Sequence, residues 1–294
     1  MSNRVSLVLA TMGRTTEVGN FLESLNDQKH HDIQLIIVDQ NPDDRLVPVI
    51  AAADPSLDIL HVRYAPGLSR SRNEGLRHAT GDIIAFPDDD CWYGPGLLDQ
   101  VTAFFSRNPD IHILTGILVD KDGQQSTLAW DKTAGPLERR NIMRRAISAS
   151  IFVRSSVLEQ VPGFNPQLGV GSGTQFGAGE ETDFLINALD HGYRGYFDPA
   201  VRVGHPNKQV TAVEAGAAFR YGAGLGALLR LHHYPVSVLL KVIVKPAVAA
   251  VACTLFGRFK QARYYVHSLR GRYWGYRNAN RIQQPALPGG SHPR

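Results

Sequence analysis

Cysteine is nearly missing from this sequence: Cys91 and Cys253 are the only two in 294 residues, far apart and in unlike surroundings. That excludes a disulfide framework and a cysteine metal cluster, and it fits a reducing compartment. A secretory leader is not expected either. The apolar run in MSNRVSLVLATMGRT is too short for one, so a cytoplasmic location is expected. The third absence is of one charge sign. Residues 215–294 hold 12 Lys and Arg and no Asp or Glu, whereas residues 1–214 hold all 27 acids and 19 bases. The overall charge of +4 therefore conceals segments of −8 and +12. A split this sharp implies two surfaces with different partners, one of them anionic. With 43% apolar and 20% charged residues the chain is an ordinary globular mixture, which excludes wholesale disorder. Its length allows one large domain or two small ones.

What is present reads as alternating strands and helices. Val5–Ala10, Ile33–Asp39, Ile59–Tyr64 and Asp82–Phe86 are short apolar runs. Between them Val18, Phe21, Leu22 and Leu25 recur at helical spacing, and Ser69–Ala79 reads as a second helix. This alternation predicts an α/β protein built from βαβ units, with a mostly parallel sheet buried on both faces. Gly163–Gly179 is rich in glycine and predicts a long functional loop. A helical pattern with Phe184, Leu185, Ala188 and Leu189 follows, then a short strand at Gly195–Phe197.

Several strings carry chemistry. In DIIAFPDDDCWY an apolar strand runs into Asp88, Asp89 and Asp90. Ligands of open parallel sheets bind beyond the carboxyl ends of strands, so these acids stand where a site belongs. Adjacent carboxylates repel, and a hard divalent cation, Mg²⁺ or Mn²⁺, relieves that repulsion; a solvated turn capping the next helix is the plainer alternative. Asp39 ends another apolar strand and suits a base or ribose contact, or a helix cap that Asp43 or Asp44 could equally supply. Arg70, Arg72 and Asn73 precede the fourth strand, and Arg14 follows the first; arginine forks match phosphate, but a solvated basic helix face gives the same pattern. Glu180, Glu181 and Asp183 open a helix, as dipole-complementing acids or as a general base. His205 suits a metal ligand or a structural histidine, and Trp92 and Trp130 suit sugar stacking or a core.

The order of the strings is more telling than any one of them. VSLVLATMGRT, IIVDQN, SRSRNEGLRHATGDIIAFPDDD, ISASIFVRSSVLEQVPGFN and GAGEETDFLINALDHGYRGYFDPAVRVGHP together resemble a family 2 glycosyltransferase of the GT-A fold over about residues 4–208. The resemblance implies a Rossmann-like sheet flanked by helices, residues 1–214 as catalytic domain, and a nucleotide-sugar donor. It implies that Thr11, Arg14, Asp39, Arg72, Asn73, Asp88 and Asp89 bind that donor, with Asp88, Asp90 and His205 toward a Mn²⁺ or Mg²⁺ ion. It implies a general base in the acid pair, Glu181 first, with Glu180 and Asp183 as alternatives, and inverting hexosyl transfer to a glycan hydroxyl. Ala10 stands where the family has proline. A sugar-nucleotide pyrophosphorylase remains an alternative, though only Gly13–Arg14 answers its glycine-rich signature, and so does a nucleic-acid-binding protein using the aromatic and basic stretch Arg263–Arg281.

Pro235–Gly257 is apolar and long enough to span a bilayer. Lys241 and Lys245 oppose that, at about 2.5–3.5 kcal/mol each at a membrane centre, and Pro246 breaks the hydrogen-bond ladder beside them. A helical extension over residues 215–283 lying in the membrane interface is expected, with Arg258, Lys260, Arg263, Arg270 and Arg272 meeting anionic lipid. Packing on the catalytic domain or at a homodimer interface is the structural alternative. Enzymes with such tails extend lipid-linked glycans for surface polysaccharides, so the resemblance implies an acceptor at the inner face of the cell membrane. No nucleic-acid partner is expected, and the final residues 284–294, rich in Pro and Gly, read as a disordered tail.

Overall fold

Two apolar runs set the centre of the sheet. Strands β1 (Val5–Thr11) and β2 (Ile33–Asp39) are buried at every residue, because parallel strands covered on both faces have no polar side. They pair in parallel with Val5 beside Ile33 and Thr11 beside Asp39, so both end at one level. Helix α1 (Thr16–Asn26) buries Val18, Phe21, Leu22 and Leu25, the four positions its spacing marks. Beyond the short α2 (Val47–Ala51), β3 (Asp58–Arg63) adds to β2 as an edge strand. After α3 (Leu68–Leu76), β4 (Ile83–Ala85) pairs in parallel with the other side of β1. The computed structural model describes residues 4–28, 30, 32–126, 130–161, 163–207 and 215–283, so the expected tail at 284–294 lies outside the described residues.

Past β4 the sheet becomes mixed. It is completed by β5 (Trp92–Tyr93), α4 (Leu97–Arg107), β6 (Ile113–Val119), β7 (Gly135–Leu137), β8 (Ile151–Arg154), α5 (Glu180–Asp190) and β9 (Gly195–Gly204). The order is β3-β2-β1-β4-β8-β6-β9-β5, with β7 also on β9. Here β8 runs antiparallel to both β4 and β6, β9 runs parallel to β6, and β5 and β7 run antiparallel to β9. Strand β9 extends well past the expected Gly195–Phe197, crossing a register shift to reach Gly204. Gly204 pairs with Trp92, whose indole occupies the space a Cβ would need. That contact brings residue 205 beside the acidic run that precedes β5.

Three helices form the C-terminal region: α6 (Ala215–Leu231), α7 (Val236–Leu255) and α8 (Phe259–Asn278). Helices α6 and α8 run parallel at close range. Gly271 and Gly275 lie against the carbonyls of Phe219 and Ala223, while Gly222 and Gly226 lie against those of Ser268 and Arg272. Helix α7 runs back between them in sequence, tied to α8 by Arg272, which donates to the Val242 carbonyl. Trp274 packs on Phe176 and Phe219, so α8 also holds the glycine-rich loop. A side chain at Gly275 would collide with the backbone of α6 rather than with a movable neighbour. Gly275→Val should therefore cost about 1–3 kcal/mol by overpacking; chemical denaturation checks this, and an unchanged midpoint would contradict the packing.

Candidate functional site

The site begins where β4 gives out. The chain bends so that Asp88 bridges to Ala10 of β1, which lays the acidic run across the ends of the central strands. Each acid has different partners. Asp88 Oδ1 accepts from Arg72 Nη2 at 3.0 Å and from Ser148 Oγ at 3.3 Å. Asp89 accepts from Thr11 Oγ1 at 2.8 Å and from Arg14 Nη1 at 2.5 Å. Asp90 takes Arg14 Nη1 at 2.8 Å on one oxygen and faces His205 Nε2 at 3.3 Å with the other. Burial raises the Asp89 pKa against the opposing Thr11 hydrogen bond and Arg14 charge. For Arg14, burial pulls the pKa down, but the charges of Asp89 and Asp90 outweigh it and raise it.

The ligand atoms of Asp88, Asp90 and His205 lie within 4.8 Å of one another. His205 Nδ1 sits 2.8 Å from the Pro206 carbonyl, which can only accept, so Nδ1 carries a proton. Nε2 is then the nitrogen that faces the Asp90 carboxylate, and a ring oriented by a hydrogen bond from its other nitrogen is what metal-ligating histidines show. Two carboxylates and one imidazole suit Mg²⁺ or Mn²⁺. The residues present thus fit a divalent ion.

Arg72 links this group to the second half of the site. Its guanidinium is 1% exposed, held by Asp88 at 3.0 Å on one nitrogen and by Glu180 Oε1 at 3.6 Å from the other. It lies over the Phe164 ring at 5.4 Å, and Phe164 stacks on Phe184 of α5. Asn73, next in α3, brackets Phe164 through both backbone groups at 2.7 Å each. Glu180 and Glu181 open α5 behind Gly179, whose φ of +99° lets the chain turn sharply into the helix. Burial pushes the Glu180 carboxyl up to about 8, with the neighbouring Glu181 adding to the effect and Arg72 opposing it. Glu180 Oε2, Glu181 Oε2 and Arg72 Nη1 are buried with no hydrogen-bond partner, the state expected of polar atoms that await a ligand. Asp183 points elsewhere, into the α5–α6 contact, where it meets His232 Nε2 at 2.7 Å.

Thr11, Arg14, Arg72, Asp88, Asp89, Asp90, Glu180 and His205 therefore join one connected network. Asp39 lies apart from it and fully buried: Asn41 donates twice to one oxygen, while His61 at 3.0 Å and Arg63 at 3.3 Å flank the other. Asn41 in turn accepts from the Gly13 amide at 2.6 Å, joining the β1 and β2 ends. Ser148, Phe164, His61, Arg63 and His232 escape the sequence reading, since none stands in an acidic or basic run. Arg70 serves the glycine-rich loop, donating to the Gly171 and Ser172 carbonyls. Trp92 packs on Gly204 and Trp130 is buried, both as framework. In the C-terminal stretch Trp274 and Tyr276 are covered by Arg281 and Arg230, so those rings do not form an open stacking surface.

Comparison with known proteins agrees with this geometry. The profile of "Glycosyl transferase family 2" matches residues 6–158, just over half the chain. A pre-mycofactocin glycosyltransferase of Mycobacterium tuberculosis is 26% identical over 216 residues, covering 68% of this chain and 43% of that one. A Campylobacter jejuni enzyme, GalNAc(5)-diNAcBac-PP-undecaprenol beta-1,3-glucosyltransferase, is 26% identical over 127 residues, covering 42% and 41%. The matches thus span less than half the length of these curated relatives. Among solved structures, the mannosyltransferase PcManGT from Pyrobaculum calidifontis, in complex with GDP-Man and Mn²⁺, superposes with TM-score 0.62 at 15% identity over 92% of this chain and 87% of that one. S. aureus TarS 1–349 in complex with UDP gives 0.57 at 12% identity over 96% and 93%. The mixed sheet with its flanking helices is the GT-A fold.

The raised Glu180 pKa has a consequence for stability. Its folded value of about 8 lies above the ordinary 4.5, so folding favours the protonated form. Stability from this group is complete below pH 4.5 and is lost as pH rises through 8. Glu180→Gln should flatten the decline of unfolding free energy across that window in EDTA. Denaturation curves at a series of pH values check it; wild type and variant falling in parallel would refute the assignment.

Proposed function

The chain is a member of glycosyl transferase family 2, and from that premise we propose an inverting, metal-dependent hexosyltransferase that moves a sugar from a nucleotide donor to a hydroxyl of a lipid-linked glycan in surface polysaccharide synthesis. The observation that carries this reading is Arg72, one buried guanidinium reaching Asp88 on the donor side and Glu180 on the acceptor side. Neighbours that hold GDP-Man with Mn²⁺, or UDP, support a nucleotide-sugar donor. The Campylobacter relative's name supports an undecaprenol-linked acceptor.

Residues 1–214 act as the catalytic domain in this reading. Asp88, Asp90 and His205 hold the divalent ion, Mn²⁺ or Mg²⁺, and Ser148 and Arg72 orient Asp88 for it. When bound, such an ion neutralises the charge that develops on a leaving diphosphate. Asp89 holds Thr11 and Arg14 at the end of β1, where Arg14 is placed to meet a phosphate. Asp39 acts on the donor base through the side chains it fixes, Asn41 and Arg63. Near neutral pH the buried Glu180 keeps its proton, and the half-buried Glu181 is the member of the acid pair nearer solvent. Glu181 then removes the proton of the acceptor hydroxyl as that oxygen attacks the anomeric carbon from the face opposite the leaving group. Asp183 is held by His232 and serves to position α5.

The helices over residues 215–283 provide peripheral membrane contact at the cytoplasmic face. Helix α7 is long and apolar enough to cross a bilayer, with mean hydropathy 2.0, and little of it is buried. Val236, Leu240, Val244, Val248, Val251 and Leu255 form one exposed stripe at three- and four-residue spacing. Leu255 and Phe256, each 80% exposed, and Phe259, 69% exposed, form an apolar tip beside Arg258, Lys260 and Arg263. A basic apolar surface of this kind lies in a headgroup layer.

Three measurements test the reading. Asp90→Ala should abolish Mn²⁺-dependent release of nucleotide from a panel of sugar nucleotides; full activity in that variant or in EDTA would sink it. Glu181→Gln should cut turnover by roughly 10²–10⁴-fold while donor affinity stays the same, and a collapse of donor affinity would remove Glu181 as the base. The full chain should sediment with phosphatidylglycerol vesicles but not with phosphatidylcholine ones, and Leu255→Ser with Phe256→Ser and Phe259→Ser should release it. Equal sedimentation of wild type and triple variant would exclude the tip.

A further inference from the structure

A cavity of about 320 Å³ opens between the glycine-rich loop and α6. Residues 169–174 and Gly177 wall it on one side, and Ala217, Arg220 and Tyr221 wall it on the other. It adjoins the acid pair: a Cβ on Gly169 would stand 2.8 Å from the Glu180 carboxyl carbon. Asp88, Arg72, Glu180 and Gly169 thus follow one another from the metal-binding group to the cavity wall. The loop is anchored on both sides, since Gly177 N donates to the Arg220 carbonyl at 3.1 Å and Arg70 takes up the Gly171 and Ser172 carbonyls. The Arg220 guanidinium itself has no acid or other partner among the described residues, and α6, α7 and α8 contain no acid that could supply one.

The cavity has a definite place on the molecule. Because α6 and α8 are parallel and α7 returns between them, the α7–α8 turn lies at the same end as the first turns of α6. Tyr264, in the first half of α8, is close enough to Tyr221 for the two phenols to interact electrostatically. The cavity with Arg220 in its wall and the apolar, basic tip of Leu255, Phe256 and Phe259 therefore share one end of the helical region. A ligand that reaches both has an anionic head for Arg220 and an apolar body for the tip.

We propose that this cavity seats the phosphate or diphosphate of a lipid-borne acceptor, with Arg220 as its counter-charge. The proposal rests on the reading of the chain as a transferase acting on a lipid-linked glycan, and it assigns the acceptor's anionic group to a site on the far side of Glu180 from the metal-binding group. Arginine presents a planar fork of donors that matches a phosphate.

The probes are farnesyl diphosphate and inorganic pyrophosphate, titrated calorimetrically into the full chain in EDTA. Farnesyl diphosphate should bind more tightly than pyrophosphate. Arg220→Gln should weaken both by about tenfold, the loss of a charge-assisted hydrogen-bond pair. Arg220→Lys should retain most of the affinity, and Asp90→Ala should bind as wild type does. Arg220 is exposed and has no partner among the described residues, so these variants should melt with the wild type. Wild-type affinity in Arg220→Gln, a loss confined to Asp90→Ala, or no binding by wild type would overturn the assignment. Equal affinity for the two probes would overturn the lipid-borne source. Sugar transfer is scored separately: Arg220-dependent binding without transfer to any acceptor would sink the transferase reading alone, whereas transfer with Arg220-independent binding would sink this proposal alone.

Discussion

A single buried guanidinium holds the two halves of this molecule in register. Arg72 arises from α3, on the parallel side of the sheet, and its charge is almost wholly removed from water. An uncompensated charge in such a place costs several kcal/mol. The fold must therefore bring a counter-charge to it, and Asp88 supplies this from the end of β4, while the Glu180 carboxyl approaches from the opposite direction at the start of α5. Phe164 supplies the flat surface beneath the guanidinium, and Asn73 fixes Phe164. The distance between Asp88 and the acid pair on α5 is thus set by one side chain and its supports.

The α5 end of that arrangement depends in turn on the C-terminal helices. Asp183, one turn into α5, is closed off by His232. Arg139 joins Asp190, at the other end of α5, to the His232 carbonyl and stacks on Tyr234. Helix α5 is consequently clasped at both ends by the corner between α6 and α7. The family profile ends at residue 158, before α5 begins. The Asp88 side and the Glu180 side of the site are therefore supported by different parts of the chain, and Arg72 spans the two.

Much of the Asp88 side of the site was legible in the sequence, and the reason is local. Strands β1 and β2 are buried on both faces, so their apolar runs have no competing interpretation, and an acid that ends such a run stands at the sheet's edge. Asp88, Asp89 and Asp90 needed only that placement. The antiparallel half was not legible, because β5 and β7 are two and three residues long and β9 continues through Asp198 and Pro199, beyond the short strand expected at Gly195–Phe197. His205 alone suited a metal ligand or a structural histidine; its approach to Asp90 follows from the pairing of Gly204 with Trp92, a contact between residues far apart in sequence. Asn73 shows the opposite case. Its position beside Arg72 suggested a ligand contact, whereas the structure has it bracketing the Phe164 backbone, a partner 91 residues away.

The parallel course of α6 and α8 has an electrostatic consequence as well as a steric one. Neighbouring helices that run the same way align their peptide dipoles, and each N-terminal end carries roughly half a positive charge. Alignment is mildly repulsive, and the close glycine contacts along both helices offset it through dispersion. At the shared end the negative pole of the returning α7 offsets one of the two positive poles, and the remaining one adds to Arg220, Arg258, Lys260 and Arg263, with no acid in the helices to cancel them. That end of the molecule therefore projects a standing positive potential into the solvent, strongest at low ionic strength and reduced over about 10 Å at 0.1 M salt.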